Sequence, residues 1–378
     1  MENRRKAMKF VHIADLHLGK AIHQCSLLHI QKELLWQLLD QMKQQDIHLL
    51  IIAGDVYDRF IPSQEAVSLL DDFLTTAILE YHIQILMISG NHDSSDRLHF
   101  ASSLLAQNGL HIETHIQKDM QYVEIDHTRF YLLPFLKPSH IRMLYPDENI
   151  YDYQSAFEIY MKNQHIDKNY QNILITHQFV GKSSITCESE IPLSVGGSEI
   201  IDASLFQDFD YVALGHLHSP QKVTRETIRY SGSLMCYSFD EVKQKKSYVV
   251  VDTDDMSIDL QTLTPSQTLR VYQGTFKEFM NPDYIEKKDD FLSFELDETT
   301  LIPHAIEQLR VLYPNLLQIT YPKLIQQSQT ISHSIEAIET MDQYELFKKF
   351  YHDMKGTSLD PKQETIIQEL LEKVGENQ

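Results

Sequence analysis

Residues 48–55 read HLLIIAGD: four large aliphatic residues in succession, one small residue, then Gly54-Asp55. Apolar side chains at successive positions suit a strand buried on both faces, and the abrupt change to glycine and a carboxylate marks its end. The same pattern recurs along the chain as KFVHIAD (9–15), IQILMISGNHD (83–93), NILITH (172–177) and DYVALGH (210–216). Between the first of these runs lie segments with helical spacing. One is 27–45, through Leu27, Leu28, Leu34, Leu35, Leu38, Leu39 and Met42; the other is 63–79, through Ala66, Val67, Leu70, Phe73, Leu74 and Ala77. Such alternation predicts an α/β core with helices on both faces. IRYSGS, SYVVVD and IDLQTL, between 228 and 263, predict further strands, antiparallel.

The chain has 378 residues, 42% hydrophobic and 23% charged, which excludes disorder as a whole and leaves room for two or three domains. No run of about 18 apolar residues predicts a membrane span. The apolar run after the charged start is cut at Asp15, so no secretory segment is expected; Met1 and Met8 are both open as the start. Cys25, Cys187 and Cys236 lie far apart without a CxxC pair, which suits a reducing cytoplasm. With 33 basic and 54 acidic side chains the net charge is −21, which argues against broad salt-driven nucleic-acid binding by the chain alone. It does not exclude a nuclease, because bound divalent cations are themselves large local positive charges.

The expected organisation is a large domain over 8–265, a small α+β unit over 266–325, a polar linker over 326–340 and a helix pair over 341–378. In that last segment Leu346, Phe347, Phe350, Tyr351 and Met354 fall on one stripe, and Ile366, Ile367, Leu370, Leu371 and Val374 on another. Asp360-Pro361 reads as the cap and first position of the final helix. Two short helices alone bury too little to be stable, so their apolar faces need a further surface.

Each strand run of the large domain ends in ligand-type side chains: Asp15 and His17, Asp55, Asn91 with His92 and Asp93, His177, and His216 and His218. In D-x-H and H-x-H an extended backbone points both ligands to one side. One cation takes Asp15, His17, Asp55 and His218; a second takes Asp55, Asn91, His177 and His216. A shared Asp55 holds two cations about 3.5–4 Å apart, an arrangement suited to water activation at neutral pH and in-line displacement at phosphorus. Mixed Asp, Asn and His ligation suits Mn²⁺ or Fe²⁺, with Zn²⁺ also compatible. His92 is left over after the ligand count and is the candidate for stabilising developing charge and protonating the leaving oxygen. Asp93 is the candidate for orienting its ring. The glycines before Asp55, Asn91 and His216 permit tight turns. Lys20, Arg59 and Arg97 each follow a cluster closely and are candidates for phosphate contacts at the mouth of the site.

The order D-x-H, G-D, G-N-H-D, H, G-H-x-H resembles the calcineurin-like metallophosphoesterase superfamily. HIADLHLGK (12–20), IIAGDVYDR (51–59), ISGNHDSSDRL (88–98), PLSVGGSEIID (192–202), LGHLHSPQ (214–221) and IRYSGSLMCYSFDE (228–241) resemble, within it, the nuclease subunits of bacterial SbcCD exonucleases. LRVYQGTF (269–276) and FYHDMKGTSLDPKQ (350–363) also resemble that family. Leu234 departs from it, standing where the resemblance would place a proline.

The resemblance implies a β-sandwich flanked by helices with a small α+β capping domain and a C-terminal helix pair. It implies a two-Mn²⁺ phosphodiesterase cutting double-strand DNA ends as an exonuclease and hairpins as an endonuclease, in repair, recombination and replication. It carries the ligand roles onto the residues above and the catalytic role onto His92. It also implies an SbcC-like ATPase docked on the C-terminal helices, and a homodimer built from helices near 62–80 and 97–107. A phosphomonoesterase or nucleotidase on the same two-metal site is the alternative; it accounts better for the acidic charge but leaves the terminal helices unexplained.

Overall fold

The structure, a computed structural model, describes residues 8–181 and 200–324, with isolated positions between 347 and 367. The segment Met1–Ala7, most of PLSVGGSEIID, Cys187, the linker and most of the terminal helix pair lie outside the described residues.

Two compact units are present. One comprises the described residues up to Val271 with Lys287–Ser293 and Tyr313–Gln318; the other comprises Tyr272–Glu286, Phe294–Leu312 and the described residues from Ile319. In chain order the first holds β1 (Lys9–Ile13), the short pair β2 (Ala21–Ile22) and β3 (Cys25–Ser26), α1 (Leu28–Gln44), β4 (Leu49–Ala53), α2 (Gln64–Leu79) and β5 (Gln84–Ile88). Next come α3 (Ser95–His99), α4 (Ser102–Ala106), β6 (Leu110–Glu113), β7 (Tyr122–Ile125), β8 (Thr128–Leu133), α5 (Pro138–Leu144) and α6 (Tyr153–Lys162). The remainder is β9 (Gln171–His177), β10 (Tyr211–Gly215), β11 (Gln221–Lys222), β12 (Ile228–Tyr230), β13 (Tyr248–Asp252) and β14 (Ile258–Gln261).

One six-stranded sheet runs β14-β13-β1-β4-β5-β6 and the other β11-β12-β10-β9-β8-β7. β1, β4, β5 and β6 are parallel, as are β8, β9, β10 and β12; β13 joins β1 antiparallel. Strand alternation then sorts side chains into three cores. Phe10, Leu49, Ile51, Leu86 and Ile88 of the first sheet cluster with Phe130, Ile173, Ile175, Tyr211 and Ala213 of the second. The alternate residues Val11, Ile13, Leu50, Ile52 and Met87 pack with Leu34, Leu38 and Phe73 of α1 and α2. Leu133, Leu174, Val212 and Leu214 pack with Ile141, Phe157 and Tyr160 of α5 and α6. The fold is therefore a β-sandwich flanked by helices. The continuous apolar runs arise because one face of each strand meets the opposite sheet and the other meets helices. Ser63 caps α2, accepting the N–H of Ala66 at 3.3 Å.

His12 is one of the polar residues inside the sandwich. It is fully buried, its Nδ1 lies 3.0 Å from the Tyr211 hydroxyl, and burial, with the Arg229 charge, lowers its pKa to about 3. The unfolded chain takes up that proton near pH 6.5, so the stability His12 contributes is present above 6.5 and is lost as pH falls towards 3. The unfolding free-energy difference between the parent chain and His12→Gln should therefore shrink on acidification by about 1.4 kcal/mol per pH unit. Denaturant titrations at several pH values check this; a pH-independent difference would show that His12 is not a buried neutral imidazole.

The strands β15 (Leu269–Gly274), β16 (Phe291–Leu296) and β17 (Leu316–Thr320) form a three-stranded sheet in that order. Each of these strands is divided between the two units. In the second unit Phe279, of α7 (Phe276–Phe279), stacks on Phe294 with centroids 4.1 Å apart. Leu309, of α8 (Ala305–Arg310), is buried with Leu296 and Ile285. No helix among the described residues is long and apolar enough to cross a membrane.

Candidate metal centre

The parallel strands β1, β4 and β5 of one sheet and β9 and β10 of the other end together, and each end delivers its predicted ligand. Two knots of contacts result. In the first, His17 Nε2 and His218 Nε2 lie 3.1 Å apart, and Asp15, His17 and His218 can offer ligand atoms within 4.8 Å of one another. In the second, Asn91 Oδ1 lies 3.0 Å from His177 Nε2 and 3.1 Å from His216 Nδ1. Asp55 stands between the two, its Oδ2 at 3.6 Å from His17 Nε2 and 3.3 Å from His177 Nε2. Asp15, Asp55 and His177 also converge within 4.8 Å. A single carboxylate oxygen thus faces both knots, the position a bridging ligand requires.

The donor set fits a pair of divalent cations. Two imidazole nitrogens at 3.1 Å are a poor hydrogen-bonding pair when both are unprotonated, but are well placed for a shared cation. The opposite ring nitrogens are held, as ligand imidazoles usually are. His177 Nδ1 donates to the Ala53 carbonyl at 2.8 Å, and His218 Nδ1 faces Glu241 Oε1 at 3.0 Å. Burial keeps His216 neutral, with its pKa down at about 3, and His218 at about 4. Burial acts the same way on His177, but the adjacent Asp55 carboxylate outweighs it and lifts the ring to about 9. The place where that proton is drawn is the place a cation suits.

The backbone does more than the spacing argument allowed. Asp15, His17, Asp55 and His216 all have positive φ, at 54°, 42°, 49° and 109°. The ligands of D-x-H and H-x-H are therefore not set by an extended strand, as expected from sequence, but by left-handed turns past the strand ends. These turns are pinned by bonds from Asp15 N to Gly54 O at 3.1 Å and from His17 N to Asp55 O at 3.0 Å. Such conformations cost energy and persist where the surroundings over-determine them. Of the three glycines that precede Asp55, Asn91 and His216, Gly54, with φ of 85°, is the one that serves a left-handed turn. Gly90 and Gly215 are needed for close approach: a Cβ at Gly90 would lie 2.1 Å from Asp55 Oδ1, and one at Gly215 would lie 1.9 Å from the Ala53 carbonyl.

His92 sits beside the first knot, its ring edge-on to His17 at 4.9 Å, and its backbone N–H donates to Asp55 Oδ1 at 2.9 Å. Its Nδ1 donates to the Asp58 carbonyl at 3.0 Å. Asp93 does not orient that ring, which corrects the expectation. Its buried carboxylate accepts the backbone N–H groups of Val56 at 3.1 Å, Tyr57 at 2.9 Å and Gly90 at 2.9 Å, tying the two ligand loops together. Burial and the neighbouring Asp55 push its pKa up to about 6.

Lys20 also departs from its expected role. It is largely buried and bonded to Asp58 at 2.9 Å, and Asp58 in turn lies 3.6 Å from His17 Nδ1. Arg59 and Arg97 are exposed. The supporting groups were not found from sequence. Glu241, fully buried, joins His218 to Lys246 at 2.6 Å, and Tyr237 donates its hydroxyl to the Leu16 carbonyl. Both lie in the IRYSGSLMCYSFDE stretch singled out for its resemblance, which was the available signal.

Residues 8–220 match the family described as calcineurin-like phosphoesterase, and residues 265–355 match the type 5 capsule protein repressor C-terminal domain. The chain is 35% identical over 370 residues to a Staphylococcus epidermidis protein named as the SbcD subunit of the nuclease SbcCD, covering 96% of this chain and 98% of that one. It is 32% identical over 369 residues to the protein of the same name from Staphylococcus saprophyticus, covering 96% and 98%. Among solved structures, Thermus thermophilus TT1561 matches over 68% of this chain and 99% of its own, with 9% identity and a TM-score of 0.39. By the family match over its larger part and by relatives aligned along nearly all its length, the chain belongs to the calcineurin-like phosphoesterases and, within them, to the SbcD family of SbcCD nuclease subunits.

Proposed function

We propose that this chain is the metal-dependent nuclease subunit of an SbcCD-like complex. In this reading it hydrolyses DNA phosphodiester bonds at double-strand ends and hairpins in repair, recombination and replication. The observation that carries the reading is Asp55 Oδ2 facing His17 on one side and His177 on the other, at the meeting point of five strand ends. Asp15, His17, Asp55 and His218 would hold one cation, and Asp55, Asn91, His177 and His216 the other, with Mn²⁺ the metal in use. When bound, the pair supplies Lewis acidity and the concentrated positive charge that draws a phosphodiester into an otherwise acidic protein.

The chain's own residues do the rest. Asp58 fixes the His92 ring through Nδ1, which leaves Nε2 for the substrate, where it stabilises charge on the phosphoryl oxygens and supplies a proton to the leaving oxygen. Arg59 and Arg97 hold flanking phosphates. The C-terminal helix pair, outside the described residues, carries the SbcC-like ATPase. The test is turnover with Mn²⁺ on linear duplex DNA, on a hairpin and on a nucleoside monophosphate, with and without that ATPase. Cleavage of the two DNA substrates is expected; turnover of the monophosphate alone would replace the reading with a nucleotidase.

We also propose the homodimer, with a smaller surface than the sequence suggested. Leu69, Leu70, Phe73 and Leu98 are buried within the chain, whereas Phe100 is 82% and Leu104 64% exposed. Two-fold contacts between copies suit such a patch. Phe100→Asp with Leu104→Asp should convert a dimer to a monomer in light scattering while leaving metal content unchanged. A parent chain that is already monomeric at micromolar concentration overturns the dimer.

A further inference from the structure

Away from the strand-end centre, His99, Glu113 and His115 can each offer a ligand atom within 4.8 Å of the others. None of them belongs to the two knots described above. His99 closes α3, Glu113 closes β6, and His115 follows two residues later. The rings of His99 and His115 stand edge to face at 4.9 Å, and His99 and Glu113 line an open cavity of about 390 Å³.

Two of the three side chains are held by neighbours; the third, His99, meets only the Ser102 hydroxyl among the hydrogen-bonding contacts described, a long 3.4 Å from its Nε2. Glu113 Oε1 accepts the N–H groups of Thr114 and His115, each at 3.1 Å, and Oε2 accepts Gln117 Nε2 at 3.3 Å. The carboxylate is thereby fixed in direction while keeping unused lone pairs. His115 Nδ1 pairs with the Thr114 hydroxyl at 2.9 Å, which reserves Nε2, and Asp96 Oδ1 lies 3.4 Å from that Nε2 as an accessible fourth oxygen. Restraint of one ring nitrogen by a neighbour is the usual setting of a ligand imidazole.

We propose that His99, Glu113 and His115 form a third metal site, independent of the dinuclear centre and suited to Zn²⁺. Two imidazoles and a carboxylate, with a further position for Asp96 or water, are a common Zn²⁺ donor set. Bonds of about 2.0–2.1 Å place tetrahedral ligands roughly 3.4 Å apart. The exposed side chains of His99 and His115 can rotate to close that difference. A cation there ties α3 to the end of β6, the edge strand of its sheet, whose Glu113 carbonyl accepts Ser89 N at 3.2 Å beside the Gly90-Asn91 loop.

The test is a count of bound Zn²⁺ on the full chain after equilibrium dialysis against Zn²⁺ alone. The double variant His99→Ala, His115→Ala is compared with the parent and with His115→Gln. The expected result is one equivalent fewer per chain in both variants, with Mn²⁺-supported cleavage unchanged. Asp55→Ala should instead keep the third equivalent while losing dinuclear metal. Equal Zn²⁺ counts in the parent and in His115→Gln overturn the site, whatever the double variant does and whatever substrate the dinuclear centre proves to use.

Discussion

His92→Ala is expected to lose about 10²–10⁴-fold in turnover while its metal content stays that of the parent chain. The geometry separates the two properties. What His92 gives to the ligand frame is its backbone N–H, which holds Asp55 Oδ1 at 2.9 Å and survives the substitution. What alanine removes is the ring, tethered through Nδ1 to the Asp58 carbonyl and paired with no ligand oxygen among the contacts described. Metal analysis and single-turnover cleavage on the same sample check this. A variant that loses metal would make His92 a ligand; one that keeps full activity would remove it from the chemistry.

Asp55→Ala is expected to weaken metal binding far more than His218→Ala or Asn91→Ala. The loss should exceed the roughly 10–100-fold that removal of an outer-shell partner costs. Each of the latter residues stands in one knot, whereas Asp55 Oδ2 faces both. Without its charge two cations would repel at short range with no anion between them. The substitution also releases His177 from the carboxylate that raises its pKa to about 9, so the remaining donors are chemically changed as well as fewer. Asp55→Asn retains an acceptor for the His92 N–H and should bind metal almost as poorly as alanine, which isolates charge from local packing. Calorimetric titration of the variants decides; equal affinities across them would mean that no carboxylate bridges.

The candidate ligands were legible because each ends an apolar run, where a buried strand has no other reason to carry Asp15, Asp55 or His177. Helices α1 and α2 were legible for a similar reason, their apolar stripes being continuous. Periodicity could not divide the strands between two sheets: Leu49 to Ala53 are all buried, so the alternation between the sheet-facing and helix-facing sides leaves no polar trace. The division entered through resemblance instead. The side chains supporting the ligands escaped for want of local pattern. Glu241 reaches His218 across 23 positions, and Asp93 bonds to backbone at Val56 and Tyr57 rather than to its neighbour. Lys20 was ambiguous, because a lysine beside a ligand cluster looks the same in sequence whether it meets a phosphate or, as here, Asp58.

The paired nitrogens of His17 and His218 come from positions 201 residues apart. Loops of that length close late, because their entropy must be overcome before the contact repays it. The chelating pocket is thus expected to assemble late in the folding reaction, so that cations binding it would hold the finished sandwich without helping to nucleate it. Interactions absent from the transition state act on the unfolding rate. Metal bound there would therefore act as a kinetic lock: stripping it with a chelator is expected to raise the unfolding rate and leave the refolding rate nearly unchanged, and a slowed refolding rate instead would overturn this.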